Sequence, residues 1–106
     1  MSRITITKPD DWHIHLRDGD MLDRTVNDVA AWANRAVIMP NLSPPVLTVA
    51  DATAYHSRIL SALSKAPDFE PLMTLYLTDN TTPQDIREAA ASPLVCGVKL
   101  YPAGAT

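Results

Sequence analysis

Short apolar runs alternate with amphipathic stretches along the whole sequence, and this alternation restricts the fold more than any other feature. The apolar runs predict four strands, the first at residues 4–6 and 12–16 around a turn, then 36–39, 72–77 and 94–101. Between them, apolar residues recur at steps of three and four, which predicts helices over residues 21–33, 48–65 and from 82 onward. The order βαβαβαβ predicts parallel strands, because a helical crossover returns the chain to the same end of the next strand.

The helices carry start signals as well as apolar faces. Thr48, with Asp51 three residues later, resembles a capping box, and Thr82 followed by Pro83 supplies an N-cap and a first-turn proline. Asp85 places a negative charge near the start of the third helix dipole. The residues predicted to face inward are Leu22, Val26, Val29, Ala30 and Ala33 on the first helix, Val49, Ala52, Ile59, Leu60 and Leu63 on the second, and Ile86, Ala89 and Ala90 on the third.

Four strands and three helices amount to about half of a (β/α)8 barrel, which usually has about 250 residues. The pattern alone does not separate such a TIM barrel from an open sheet. No repeat or flexible linker divides the sequence, so residues 1–106 are interpreted as one domain or part of one. Half a barrel has two open edges, so we expect either that the chain continues beyond Thr106 or that another polypeptide covers those edges.

Charge and cysteine content exclude several classes of partner. The chain has 9 basic and 12 acidic residues and a pI of about 5.4, so it lacks the cationic stripe that nucleic acids or anionic lipids require. The single cysteine, Cys96, cannot form an internal disulfide, and the N-terminus has no signal-peptide core. These features predict a cytoplasmic protein with no nucleic-acid or membrane partner.

The segment from Trp12 to Asp18 carries the strongest chemical signal. In an extended strand, His13, His15 and Arg17 would share one face, because side chains repeat every two residues. Two imidazoles on a twisted strand can converge on one metal ion, and imidazole suits Zn2+. An arginine one step further, at the mouth of a barrel, can clamp a carboxylate. The alternative is a partly buried strand whose histidines hydrogen-bond to backbone.

Lys99 lies in an apolar strand that would place its ammonium in a poorly solvated interior. Desolvation and a neighbouring metal both lower the pKa of a lysine, and a neutral amine can add CO2 to form an anionic carbamate that bridges two metals. The alternative is a lysine at the strand end whose stem carries the charge out to water.

Asn41 closes the second strand where barrel enzymes place functional side chains, and its amide can donate a hydrogen bond to a substrate carboxylate. Turn chemistry between two prolines explains it equally well. The other noteworthy side chains are interpreted as structural: His56 as a surface residue, Cys96 as a small buried one, and Trp12, Trp32 and Phe69 as packing.

Three segments together resemble the bacterial-type dihydroorotases of the amidohydrolase superfamily: PDDWHIHLRDGDML at 9–22, MPNLSPP at 39–45 and VKLYPA at 98–103. The shorter segments PLMT at 71–74 and YLTD at 76–79 are similar to that family too. The resemblance covers nearly the whole chain in the same order. It implies the N-terminal part of a zinc-dependent cyclic-amide hydrolase built on a (β/α)8 barrel.

The resemblance implies roles for individual residues. His13 and His15 would bind the more buried zinc, N6-carboxylated Lys99 would bridge two zinc ions, and Arg17 with Asn41 would hold the α-carboxylate of the substrate. The reaction would be the reversible cyclisation of N-carbamoyl-L-aspartate to L-dihydroorotate in pyrimidine biosynthesis. Thr106 falls where the family's substrate-contacting loop begins, and the family suggests a homodimer.

The same resemblance shows what this sequence lacks. The family also needs two histidines from strands five and six and a proton-shuttling aspartate from strand eight, and none of these lies within the 106 residues. We therefore expect the isolated chain to be inactive without the remainder of the barrel.

Two other functions stay open at this point. Another binuclear amidohydrolase, such as a hydantoinase, shares the paired histidines and the bridging lysine but not the combined Arg17 and Asn41 carboxylate site. A metal-free scaffold relative that assembles with other enzymes would need none of these ligands.

Overall fold

The structure is a computed structural model that describes residues 2–102, and it contains four strands and three α-helices. The strands are β1 (Asp11–Ile14), β2 (Arg35–Ile38), β3 (Glu70–Tyr76) and β4 (Val95–Lys99). The helices are α1 (Leu22–Ala30), α2 (Val49–Ala62) and α3 (Pro83–Ala91), with a 3-10 turn at Gly19–Met21 leading into α1. The predicted order of strands and helices is confirmed.

The strands form one sheet in the order β1-β2-β3-β4, and every neighbouring pair is parallel. Helix α2 contacts both α1 and α3, so the three helices form a layer beside the sheet. A doubly wound open sheet reverses its strand order near the middle, whereas a barrel adds each strand beside the previous one. The consecutive order among the described strands is therefore the barrel pattern.

The hydrophobic core lies between the sheet and the helix layer. The apolar stripe predicted for the first helix is buried throughout, which confirms that part of the pattern. The largest side chains in this core, all less than 2% exposed, include Leu16, Ile38, Tyr55, Ile59, Met73 and Leu75. Removal of these surfaces from water is the main force that holds the helices on the sheet.

Local capping chemistry begins α2 and α3. The Thr82 hydroxyl accepts from the Asp85 amide at 3.1 Å, and the Asp85 carboxylate accepts from the Thr82 amide at 2.9 Å, so α3 has the complete capping box. In α2 the Thr48 hydroxyl accepts from the Asp51 amide, but the Asp51 carboxylate accepts from Leu47 instead. Helix α2 also ends at Ala62 rather than near Lys65.

The prediction of a strand at residues 4–6 is wrong. Residues 4–6 have no strand neighbour within the described chain, and Ile4 and Ile6 are 84% and 72% exposed. Strand β1 is also shorter than predicted, since it ends at Ile14 while Leu16 is buried in the following segment. Apolar β-branched residues favour a strand only where a neighbour supplies hydrogen bonds, so composition misled the prediction.

Several burial predictions are also wrong. Trp12 and Trp32 are exposed, so only Phe69 among the three aromatic residues packs in the core. Cys96 is exposed rather than buried, because β4 is an edge strand of the described sheet. Leu60 on α2 and Ile86 and Ala90 on α3 are exposed rather than directed inward. His56 is half-buried on α2 rather than fully on the surface.

Hydrogen bonds pair the backbone and side chains at the N-terminal ends of the strands. The Arg35 guanidinium donates to the Asp10 carboxylate at 2.6 and 3.2 Å, and the Arg35 amide donates to the same carboxylate at 3.1 Å. Nearby, the Asn34 amide donates to the Pro9 carbonyl, and the Glu70 amide donates to the Asn34 carbonyl. This end of the sheet therefore joins β1, β2 and β3 through satisfied polar groups.

No helix within residues 2–102 combines the length and the apolar character needed to cross a membrane.

Candidate metal and carboxylate site

The predicted functional side chains collect at the C-terminal ends of the strands. His13 lies within β1, and His15 follows one residue after its end. Asn41 follows β2 by three residues, and Lys99 is the last residue of β4. Parallel strands bring these ends to one edge of the sheet, which is where barrel enzymes place their active sites.

The two histidines face each other directly. Their Nε2 atoms are 3.3 Å apart, and the ring centroids are separated by 5.2 Å with the planes tilted by 55°. A tetrahedral zinc ion with Zn–N bonds of about 2.0–2.1 Å holds two nitrogen ligands about 3.3–3.4 Å apart. The pair therefore matches the spacing of two zinc ligands, and the same distance also permits a hydrogen bond between neutral rings.

The electrostatics around His15 favour its neutral form. Partial burial lowers the pKa of His15, and the positive charges of Lys99, Arg17 and His13 lower it further. A neutral imidazole is the form that binds a metal ion.

Lys99 contacts two neighbouring side chains at the edge of the sheet. Its Nζ donates to Oδ1 of Asn41 at 2.7 Å and lies 4.7 Å from the ring centroid of Tyr101. Burial lowers the pKa of Lys99, as expected for an ammonium drawn away from water. Lys99 is also the last residue of β4 and only partly buried, so the alternative of a lysine at the strand end stays open.

Only one of the two polar side-chain atoms of Asn41 has a hydrogen-bond partner among residues 2–102. Oδ1 accepts from Lys99, whereas Nδ2 is buried and has no hydrogen-bond partner among residues 2–102. A buried donor without an acceptor is rare because it costs free energy, so such a group frequently marks a place where a ligand or water binds. The free donor of Asn41 suits an acceptor such as a carboxylate oxygen.

Arg17 lies at this edge in a backbone conformation that differs from the predicted extended strand. The premise that residues 13, 15 and 17 continue one strand face is wrong, because β1 ends at Ile14 and Arg17 has a left-handed backbone with φ of 60°. Arg17 nevertheless lines the same cavity as Asn41, with a volume of about 850 Å3. His13 and Lys99 line a second cavity, of about 670 Å3, along the open face of the sheet.

The described part of the chain thus brings the predicted residues together in two groups. One contains the histidines with Lys99, and the other contains Arg17 with Asn41, linked to the first by the Lys99–Asn41 hydrogen bond. No set of three His, Cys, Asp or Glu side chains within residues 2–102 could hold a metal ion. Without modification of Lys99, the described residues therefore offer His13 and His15 as paired ligands. Thr106, the remaining predicted contact, lies outside the described residues.

Sequence reasoning missed the side chains that support the site. Tyr55 and Arg58 of α2 contact the segment that carries Arg17, and Tyr101 packs against Lys99. Tyr55 and Arg58 are three residues apart and so share a helix face, which was the available signal.

Comparison with known proteins identifies relatives of this arrangement. No protein-family model matches the chain. The dihydroorotase of Ralstonia nicotianae is 65% identical over 103 residues, an alignment that covers 97% of this chain and 30% of that protein. The chain is homologous to dihydroorotases. A second dihydroorotase, from Alkalilimnicola ehrlichii, is 62% identical over 106 residues and is covered to 31%.

Solved dihydroorotases have the same fold over the aligned residues. The crystal structure of dihydroorotase from Campylobacter jejuni matches 93% of this chain with a TM-score of 0.82 and 43% identity. The dihydroorotase of Saccharomyces cerevisiae in complex with 5-fluoroorotic acid matches 92% with a TM-score of 0.82 and 36% identity. The chain covers 28% and 26% of those two chains, so its four strands and three helices correspond to part of a dihydroorotase barrel.

Proposed function

We propose that this chain supplies part of the active site of a dihydroorotase, a zinc-dependent hydrolase that interconverts N-carbamoyl-L-aspartate and L-dihydroorotate. The observation that carries the proposal is the paired imidazoles, 3.3 Å apart, on the same strand edge as the Lys99–Asn41 pair. Because the chain spans about 30% of the length of the dihydroorotases it matches, the remainder of the barrel would complete the site. The isolated chain would be inactive.

His13 and His15 would hold one zinc ion, since their spacing and the neutral state favoured for His15 suit that ion. Lys99 would add CO2 through Nζ with loss of a proton, and the resulting carbamate would bridge that zinc to a second one. The lowered pKa of Lys99 makes the required neutral amine more accessible. When bound, zinc supplies a nucleophile from water near neutral pH and polarises the amide carbonyl.

Arg17 and Asn41 would bind the α-carboxylate of the substrate. Ring closure consumes the side-chain carboxyl group of N-carbamoyl-L-aspartate and leaves the α-carboxylate unchanged, so one clamp would serve both directions of the reaction. The buried Nδ2 of Asn41, which has no hydrogen-bond partner among residues 2–102, supports this role, as does the cavity that Asn41 shares with Arg17. The yeast relative binds 5-fluoroorotic acid, which is also a pyrimidine carboxylic acid.

The rest of the proposed enzyme would lie outside this sequence. An aspartate from another strand would move the proton between water and the ring nitrogen, and further histidines would complete the metal site. By the same proposal Thr106 would contact the substrate from a loop, and the enzyme would be a cytoplasmic homodimer.

The Arg17→Met variant of the full-length protein tests the carboxylate clamp. Loss of a charge-assisted hydrogen bond should raise KM for L-dihydroorotate about 10- to 150-fold and leave zinc content unchanged. Arg87→Met, an exposed arginine on α3, is the matched control and should have no effect. Unchanged kinetics in Arg17→Met would favour a hydantoinase-like substrate without the carboxylate.

Zinc content separates the enzyme from a scaffold. Elemental analysis of the purified full-length protein should find about two zinc ions per chain, as binuclear hydrolases carry. A protein that contains no zinc after purification in zinc-supplemented buffer would contradict the proposed function and favour the metal-free scaffold.

A further inference from the structure

The segment between β1 and the 3-10 turn receives a hydrogen bond from each of two helices. The Thr25 hydroxyl on α1 donates to the Leu16 carbonyl at 2.6 Å. The Tyr55 hydroxyl on α2 donates to the carbonyl of the next residue, Arg17, at 2.5 Å. Tyr55 is only 1% exposed, so this hydroxyl is fixed inside the core and its direction is set by helix packing.

An ion pair holds the following residue. The Arg58 guanidinium donates from Nε and Nη2 to the two oxygens of the Asp18 carboxylate at 3.1 and 2.9 Å. Partial burial opposes ionisation of Asp18, but the hydrogen bonds from Arg58 and from the Gly19 amide outweigh it and lower the pKa of Asp18. The same guanidinium lies 5.3 Å from the centroid of the Tyr55 ring, so a cation–π contact joins Arg58 to Tyr55.

Arg17 stands between these contacts in an unfavourable backbone conformation. Its φ of 60° lies in the left-handed region, which a residue with a β-carbon seldom adopts without support from its surroundings. If the segment relaxed to an ordinary conformation, the direction of the Arg17 side chain would change. Contacts before, at and after Arg17 restrain this conformation. The Leu16 and Arg17 carbonyls each accept a hydrogen bond, and the Asp18 carboxylate pairs with Arg58.

We propose that Thr25, Tyr55 and Arg58 are positioning residues that hold residues 16–18 in the conformation that directs Arg17 into the cavity it shares with Asn41. This inference rests on the proposed function, because it assigns the three side chains to the binding of the substrate carboxylate. Thr25 and Tyr55 do not line that cavity, and Arg58, which does line it, has its Nε and Nη2 engaged by the Asp18 carboxylate. Their effect on the reaction would therefore pass through Arg17.

Kinetics of full-length Tyr55→Phe and Arg58→Gln test the proposal. Phenylalanine keeps the buried ring and removes only the hydroxyl, so KM for L-dihydroorotate should rise about 5-fold while kcat changes little. Arg58→Gln should raise KM about 3-fold, and Arg58→Lys should recover part of that loss because it restores the charge without the two-pronged geometry. Arg24→Gln, which breaks the exposed Arg24–Asp28 pair on α1, is the matched control and should leave KM unchanged.

A double-mutant cycle separates positioning from a general structural effect. In the Arg17→Met background, Tyr55→Phe should raise KM by less than about 1.5-fold, because residues that act through one another are not additive. An equal increase in both backgrounds would overturn the proposal. If Tyr55→Phe fails to fold, the exposed Arg58→Gln variant is placed in the same cycle and judged by the same criterion.

Hydrogen exchange provides a test that does not require activity. The peptide covering residues 16–21 should exchange faster in Tyr55→Phe and Arg58→Gln than in the parent, while peptides from β3 stay protected. Unchanged exchange at residues 16–21 would refute positioning by these side chains. If the parent protein did not act on L-dihydroorotate but the variants exchanged faster, the proposed function would be refuted. The inference that these side chains position residues 16–18 would stand.

Discussion

The two ends of the parallel strands use polar residues in opposite ways. At the N-terminal end, Asp10 and Arg35 satisfy each other through three hydrogen bonds. At the C-terminal end, the histidine nitrogens face each other, and Asn41 keeps a buried donor without a partner in the described chain. One end contains a closed set of polar contacts, and the other contains groups that are only partly satisfied.

This difference indicates that polar groups at one end of the sheet contribute to stability, whereas polar groups at the other end are available for binding. Satisfied polar groups link neighbouring strands and gain little from a ligand. Partly satisfied groups cost free energy until a ligand completes them, so they suit a binding site. The charge pattern agrees, because Arg17 and Lys99 add positive charge near His15 at the C-terminal end. If the two ends are separable in this way, a substitution at one end should leave the properties of the other end unchanged.

Lys99→Ala in the full-length protein should produce the largest effect. Loss of even an outer-shell partner of a metal site costs about 10- to 100-fold, so loss of the proposed bridging ligand should reduce kcat/KM for L-dihydroorotate by more than about 100-fold. Zinc content, measured by elemental analysis, should fall as well. The urea midpoint of the zinc-free protein should change little, because loss of the Lys99–Asn41 hydrogen bond opposes the gain from removing a partly desolvated charge.

The exposed residue Lys65 provides the control for that experiment. Lys65→Ala should retain zinc and activity. A Lys99→Ala protein that keeps both would show that the C-terminal end is not the metal site and would remove the contrast between the two ends.

Thr82→Ala should show that structural and functional groups also lie side by side at the C-terminal end, where α3 begins after β3. Loss of the N-cap should lower the free energy of unfolding by about 1 kcal/mol, measured by urea denaturation. Zinc content and KM should not change, because the Thr82 hydroxyl has its only hydrogen bond within residues 2–102 with the Asp85 amide. A rise in KM would mean that this cap also supports the site.

Asp10→Asn should produce the smallest effect and one that depends on pH. The hydrogen bond from Arg35, and then its charge, hold the pKa of Asp10 below its ordinary value. A lowered folded-state pKa contributes stability above the unfolded-state pKa of about 3.9 and loses it as the pH falls through the lower folded-state value. The urea midpoint of the variant should therefore lie below that of the parent at pH 7, and the difference should shrink under acid conditions.

Activity near neutral pH should be unaffected by Asp10→Asn, because the pair lies at the end of the strands away from the proposed site. Asp68→Asn, which alters an exposed loop carboxylate, is the matched control for urea denaturation. A difference in urea midpoint between Asp10→Asn and the parent that stays constant from pH 7 to about pH 3 would indicate packing rather than charge as its cause.

Features that depend only on residues close in sequence were predictable. The predicted N-cap at Thr82 forms within four residues, and the buried stripe of α1 follows from helical periodicity. The desolvation of Lys99 was also predictable, because an apolar strand surrounds it in sequence. Trp12 and Cys96 were misjudged because burial depends on which elements lie opposite, and residue type does not contain that information.

By itself, the sequence determined the order of strands and helices, the parallel sheet and the residue types able to bind zinc and a carboxylate. Only the tertiary structure decided that the strands follow one another in barrel order, that Asn41 pairs with Lys99 across 58 positions, and that Arg17 reaches its cavity from a left-handed turn held by α2. The physical reason is the distance along the sequence over which each interaction acts. Periodicity and capping act within a few residues, whereas these contacts exist only after the helices pack on the sheet.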